Sequence, residues 1–317
     1  MTGRKVLITG ASGFIGKPIV QALAASGWTV RAAARDPAAI PDMAGVERVA
    51  LADLARAVDW PQLVGGVTHI LHLAGIAHAP GQLPDEVYTN TNTRAVGELA
   101  NAAHGRVERL VLMSSVRAQA GLSAGHVITE TDPAKPTDTY GRSKLEAERL
   151  VGESGVPFTV LRPAVVYGRG VKGNIASLAT LAQTPMPLPF GGLDNRRSLL
   201  ALENLAAAIE LALISPKAEG EIFLVADTDP ISVADMVAAM REGLGRAPHL
   251  IRVPPGGVKR LMATFGKEAE WERLSGNFVI DAAKLRGIGW TPRVKTYDGI
   301  AAMMRAPDGA APDNQSP

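Results

Sequence analysis

Tyr140 and Lys144 are the side chains in this sequence best suited to chemistry. They lie four apart in the run Tyr140-Gly141-Arg142-Ser143-Lys144, so a helix carries both on one face. An ammonium there is expected to lower the phenol's pKa, ordinarily about 10, by stabilising the phenolate. A phenol tuned this way exchanges a proton with a carbonyl or alcohol oxygen near neutral pH. Ser115 lies upstream, at the end of an apolar run that reads as a strand. This is the proton-transfer half of a hydride transfer, the reaction of nicotinamide cofactors.

The N-terminus carries a separate signature. Lys5 to Thr9 reads as a buried strand, and Gly10-Ala11-Ser12-Gly13-Phe14-Ile15-Gly16 follows it into a helix that Gly27 stops. The first glycine allows the tight turn, the second lets backbone approach a pyrophosphate, and the third lets the helix pack on the strand. The helix N-terminus then offers unpaired N–H groups to phosphate. Gly10, Ser12, Gly13, Phe14 and Ile15 are therefore candidate cofactor-binding residues.

The second strand, Trp28 to Ala34, ends in Ala33-Ala34-Arg35-Asp36, with no acid at the strand end. Arg35 suits a ribose 2′-phosphate, which predicts NADP(H) over NAD(H). The alternative has Arg35 solvated or stacked on adenine, with Asp36 reaching the ribose. Asp53, with Leu54 beside it, follows a weaker strand at Val46 to Leu51. It either accepts from the adenine amino group or is an exposed loop aspartate. Leu73, Ala74 and Gly75 end a fourth strand, Thr68 to Leu73, with small residues where a cofactor could lie. His72 reads as a satisfied core histidine.

These residues need a scaffold of alternating elements. Helices are expected at Asp85 to Ala103 and Tyr140 to Ser154, and strands at Arg109 to Met113 and Phe158 to Leu161. That alternation predicts an α/β fold, a doubly wound parallel sheet of Rossmann type covered on both faces. Beyond Pro163 the texture changes, and Thr184-Pro185-Met186-Pro187-Leu188-Pro189 excludes regular helix or central strand. Helices resume at Asn204 to Leu213, Val233 to Gly243 and Gly257 to Phe265. The expected division is a Rossmann domain at 1–163 plus about 200–226, and a smaller, partly irregular substrate lobe at 164–199 plus 227–305. Residues 306–317 read as a disordered tail.

Composition narrows the class. The 317 residues are 46% hydrophobic and 20% charged, an ordinary soluble globular balance. A net charge of +2, without a Lys/Arg stripe, argues against nucleic acid. The absence of Cys removes disulfides, thiolate catalysis and cysteine-held metals, and no metal site is expected. No signal-peptide core or bilayer-spanning run appears, so the chain reads as cytoplasmic, with no membrane partner.

Taken in order, Gly10 to Gly16, His72-Leu73-Ala74-Gly75, Asn92, Ser114-Ser115, Tyr140-x-x-x-Lys144 and Arg162-Pro163 resemble the extended short-chain dehydrogenases/reductases. The likeness is to their nucleotide-sugar epimerase/dehydratase branch. Val166-Tyr167-Gly168, Gly173-Asn174, Asn195 to Leu199 and Gly289-Trp290-Thr291-Pro292 extend it over roughly residues 4–304. The resemblance implies a nicotinamide dinucleotide on the Rossmann domain and a nucleoside-diphosphate sugar, UDP-linked by preference, under the C-terminal lobe. It implies that Tyr140 is the acid/base, that Lys144 holds the nicotinamide ribose and that Ser115 hydrogen-bonds the reacting oxygen. Asn92 would support the lysine, and Pro163 would line the cofactor site. Arg197 would clamp the substrate diphosphate, in a register uncertain by one because of Arg196, or is a plain surface arginine. Asn174 would be an amide donor nearby, and His78 would line the sugar pocket. Trp271 and Trp290 read as packing residues. A homodimer through the Asp85 and Tyr140 helices is the analogous assembly.

Departures from the family pattern narrow the reaction. The 4,6-dehydratases carry an Asp-Glu pair just after the serine, where this chain has Val116 and Arg117. Neither is a general base. The decarboxylases' nearby glutamate is missing too, and no Cys is present for epimerisation beside a ketone. Two reactions need only Ser, Tyr, Lys and cofactor. The favoured one is reduction of a UDP-4-keto-6-deoxy-hexosamine at C4, as in polysaccharide biosynthesis. The alternative is a UDP-hexose 4-epimerase with tightly bound NAD, and a weaker one is a non-enzymatic NADP(H)-sensing regulator.

Overall fold

A computed structural model of the chain describes residues 3–77, 83–264, 266, 271 and 275–305. The expected tail at 306–317, and His78, lie outside the described residues. Seven parallel strands form the main sheet. They are β1 (Lys5–Thr9), β2 (Thr29–Ala34), β3 (Val46–Ala50), β4 (His69–His72), β5 (Arg109–Met113), β6 (Phe158–Pro163) and β9 (Glu221–Val225). Their order is β3-β2-β1-β4-β5-β6-β9. A separate pair, β7 (Val165–Tyr167) and β8 (Leu199–Ala201), lies beyond β6.

The central strands are apolar on both faces because helices cover both. Val6, Leu7 and Ile8 of β1 and Leu110, Val111 and Leu112 of β5 are fully buried. Each such side chain stabilises the fold by roughly 1.5–3 kcal/mol. On one face Val6, Ile8 and Val111 meet α1 (Gly16–Ala25) and α7 (Leu202–Ile214). On the other, Leu7, Leu110 and Leu112 meet α2 (Trp60–Val64), α4 (Ala95–Ala103) and α5 (Thr139–Glu153). A third cluster joins α6 (Asn174–Gln183), α8 (Val233–Gly243) and α11 (Thr296–Met304) in the C-terminal part. The helix α9 (Pro255–Thr264) adds Val258 to it, whereas α10 (Ala283–Gly287) packs Leu285 into the first cluster.

Two elements depart from the sequence reading. Glu221–Val225 is the edge strand β9, in a stretch assigned to the Rossmann domain without a strand of its own. The helix expected over Asp85 to Ala103 is broken: α3 (Asp85–Tyr88) runs into a π-helical turn at Thr89–Arg94 before α4. The wider turn buries Thr91, Asn92 and Thr93, and the Asn92 and Thr93 side chains hydrogen-bond from it. π-helical turns often mark functional sites for this reason.

Candidate active site

Strand order reverses between β1 and β4, and in such sheets ligands bind at the carboxyl ends of the strands there. The Gly-rich turn leaves β1 at this point. Gly10 has φ 70°, and a Cβ on it would lie 2.8 Å from the Ala74 backbone nitrogen. A Cβ on Gly16 would meet the Gly10 carbonyl oxygen at 2.2 Å, so α1 packs directly on the turn. Asp59, Asp138 and Ser232 cap α2, α5 and α8 with side chains, whereas α1 has no side-chain cap. Its first N–H groups, beside Ser12, Gly13, Phe14 and Ile15, thus suit an external anion. These residues fit a dinucleotide's pyrophosphate.

The Thr9 hydroxyl lies 2.9 Å from His72 Nδ1 and accepts from the Ala74 N–H at 3.2 Å. It thereby ties the ends of β1 and β4. His72 is fully buried, and burial with the nearby Lys144 charge pushes its pKa down to about 3. It is a neutral core histidine, as its sequence context implied, although Nε2 has no protein partner. Leu73 and Ala74 are half-buried and Gly75 is exposed. Arg35 is exposed at the end of β2, while Asp36 accepts from Ala38 N–H at 3.0 Å as a local cap. Asp53 is exposed and caps its own turn through Ala55 N–H at 2.9 Å, with Leu54 buried beside it. Pro163 is buried at the end of β6, beside Val225 of β9.

The three candidate catalytic side chains converge. Ser115 caps the 3-10 turn Val116–Ala118, and its hydroxyl is hydrogen-bonded to Tyr140. Lys144 is buried and donates from Nζ to the Met113 carbonyl at 3.0 Å. Burial pushes its pKa down to about 8, against the charge of Glu148 one turn on. Tyr140 departs from expectation. Burial pushes its phenol up to about 12; the Ser115 bond and Arg117 act downwards, Asp138 and Tyr88 upwards. Lys144 is not among the groups that tune it. The shared helix face is real, but one N–H of the ammonium is directed at Met113.

Asn92 also acts differently from its expected role. Its amide donates to the Ile76 carbonyl at 2.9 Å and to Ser143 Oγ at 3.1 Å, and its carbonyl accepts from Ile76 N–H at 2.8 Å. Among the described residues it makes no hydrogen bond to Lys144. It pins the loop after β4 to α5 instead.

Sequence reasoning overlooked two ion pairs here. Arg117 Nη2 donates to Asp138 Oδ2 at 2.5 Å, while Asp138 Oδ1 caps α5 by accepting from Gly141 N–H at 2.7 Å. Glu148 and Arg162 form the other, almost fully buried. Its only sequence signal was Glu148 repeating the Tyr140–Lys144 spacing. Arg197 donates to the carbonyls of Gly276 at 2.7 Å and Leu122 at 3.3 Å. Burial and the like charge of Arg117 push its pKa down to about 10. Asn174 opens α6 and is exposed. Trp290 is buried and donates to the Asn204 carbonyl, and Trp271 is buried too, so both pack.

The profile of the NAD dependent epimerase/dehydratase family matches residues 6–226. The chain belongs to that family. The match spans the Gly-rich turn, Ser115, Tyr140 and Lys144, and the chain is an NAD-dependent enzyme of this family. A UDP-glucose 4-epimerase from Vibrio cholerae is 31% identical over 315 residues, covering 96% of this chain and 95% of that protein. The solved structure of MoeE5 in complex with UDP-glucuronic acid and NAD is similar with TM-score 0.74 at 25% identity. It covers 95% of this chain and 97% of its own. The Bordetella bronchiseptica enzyme WbmG in complex with NAD shares the fold, with TM-score 0.76 at 21% identity over 95% of this chain and 93% of its own. Among the described residues no helix is long and apolar enough to cross a membrane.

Proposed function

We propose that the chain reduces the 4-keto group of a UDP-linked 6-deoxy-hexosamine, with NADP(H) favoured over NAD(H). The observation that carries this reading is Tyr140. Burial keeps its phenol protonated and Ser115 holds it, which is the form that donates a proton to a carbonyl oxygen. A bound nicotinamide supplies the hydride. Ser115 orients the sugar oxygen, and Lys144 has N–H groups beyond the one on Met113 for the nicotinamide ribose. Gly10 to Ile15 hold the pyrophosphate, and Leu73 to Gly75 and Pro163 line the rest of the cofactor site. Dehydration lacks its base: Val116 is apolar and Arg117 is paired with Asp138. Arg197, with Arg117 near it, provides the positive field a diphosphate needs, and exposed Asn174 at the start of α6 is the proposed amide donor to the substrate.

The cofactor preference rests on Arg35, which is exposed at the strand end while Asp36 caps its own turn. A second reading, 4-epimerisation with tightly bound NAD, is favoured by the Vibrio relative. Mixing the protein with NADPH and a UDP-4-keto-6-deoxy-N-acetylhexosamine separates them. Reduction consumes NADPH, and Arg35→Ala loses about 10-fold or more of the NADPH-over-NADH preference. Unchanged nicotinamide absorbance, with UDP-galactose converting to UDP-glucose, favours the epimerase. An unaltered preference in Arg35→Ala removes the NADP(H) assignment.

A further inference from the structure

Glu148 lies four residues beyond Lys144, so Tyr140, Lys144 and Glu148 form one stripe along α5. That stripe meets the end of β5 residue by residue. Lys144 Nζ donates to the Met113 carbonyl at 3.0 Å. The Ser114 hydroxyl donates to the Glu148 carboxylate. The Ser115 hydroxyl is bonded to Tyr140. Three consecutive positions of the strand end are each held by a different turn of the helix.

Glu148 is the most heavily anchored of the three. Arg162, at the end of β6, donates to it from Nε at 3.0 Å and Nη2 at 2.5 Å. Arg162 Nη1 donates to Gln119 Oε1 at 2.9 Å, and the Gln119 amide donates to the Thr129 and Asp132 carbonyls. The Glu148 and Arg162 side chains are only 3% and 7% exposed. A buried ion pair adds little net stability over apolar residues of the same volume, so packing alone does not call for one here.

We infer that Glu148 is a positioning residue that fixes Ser114, and through it the Ser115–Tyr140 contact, while setting a negative charge one turn from the Lys144 ammonium. The inference rests on Tyr140 and Lys144 being the acid/base pair proposed above. At Lys144 burial lowers the pKa and the Glu148 charge acts upwards against it. The other titratable or charged groups facing this stripe are neutral His72 from β4, Arg162 from β6 and, at Tyr140, Arg117, Asp138 and Tyr88.

The test is the titration of Lys144 itself, followed by carbon NMR in lysine-labelled protein and assigned by its loss in Lys144→Arg. In Glu148→Gln the midpoint is expected to fall by about one unit, and the alkaline limb of kcat to fall with it. Glu146→Gln, exposed on the same helix, is expected to leave it in place. Should the Gln variant fail to fold, Glu148→Asp keeps a charge for Arg162 and is expected to move the midpoint the same way by less. An unmoved midpoint in the folded variant overturns the charge role. Ser114→Ala isolates the tether: kcat is expected to drop about 10-fold with nicotinamide affinity and the Lys144 midpoint unchanged. Wild-type kcat in that variant overturns the positioning role. The titration needs no sugar, so its failure is distinct from failure of the substrate reading.

Discussion

At Tyr140, burial outweighs the Ser115 hydrogen bond and the Arg117 charge, which act downwards, and the phenol stays protonated across neutral pH. Removing Ser115 takes away the bond that lowers its pKa and, in the proposed mechanism, a donor to the reacting oxygen. Ser115→Ala is expected to lower kcat by about 10²-fold, with nicotinamide affinity unchanged by fluorescence titration. Lys144 has the opposite sign problem: it holds its proton below about 8, so steps that need the ammonium weaken as pH rises through that value. The spacing in Tyr140-x-x-x-Lys144 showed which residues share a face. It could not show the direction of the tyrosine's shift. That direction comes from burial and the Asp138 charge outweighing the Ser115 bond and Arg117, and the Arg117–Asp138 pair spans 21 positions of sequence.

At the scale of elements, the site depends on how closely α5 approaches the 3-10 turn after β5. A Cβ on Gly141 would lie 2.2 Å from the Arg117 carbonyl oxygen. Gly141→Ala therefore forces the first turn of α5, which carries Tyr140, away from Ser115. We expect destabilisation of about 1–3 kcal/mol in denaturant melts and a loss of kcat larger than the loss of nicotinamide affinity. Equal kcat in this variant would mean that the approach does not set the geometry. Elements with strong periodicity, β1 with α1 and β5, were legible because burial on both faces of the sheet demands continuous apolar runs. The π-helical turn was not, because Thr89–Arg94 sits inside an otherwise helical run, and only the folded chain shows it widening where Asn92 reaches Ile76 and Ser143. The edge strand β9 matches β1 and β5 in length, but it opens on half-buried Glu221 and Ile222 and so lacks their continuous buried run.

Over the whole molecule, the parallel sheet places the Gly-rich turn, the loop after β4 and the ends of β5 and β6 along one edge. The C-terminal part packs there through contacts far apart in sequence, such as Arg197 donating to Leu122 and Gly276. The Rossmann half was readable from motifs because its phosphate-binding turn is local. The Glu148–Arg162–Gln119 network and the Arg197 contacts were not, because they join residues whose proximity only the folded chain creates. The central claim is that Tyr140 moves the proton while the rest of the chain holds cofactor and sugar in place. The most direct measurement compares wild type with Tyr140→Phe, using NADPH with the UDP-4-keto sugar and UDP-galactose in parallel. Turnover on whichever sugar the wild type uses is expected to fall by about 10²–10⁴-fold, with nicotinamide affinity unchanged. Wild-type turnover in Tyr140→Phe would contradict it.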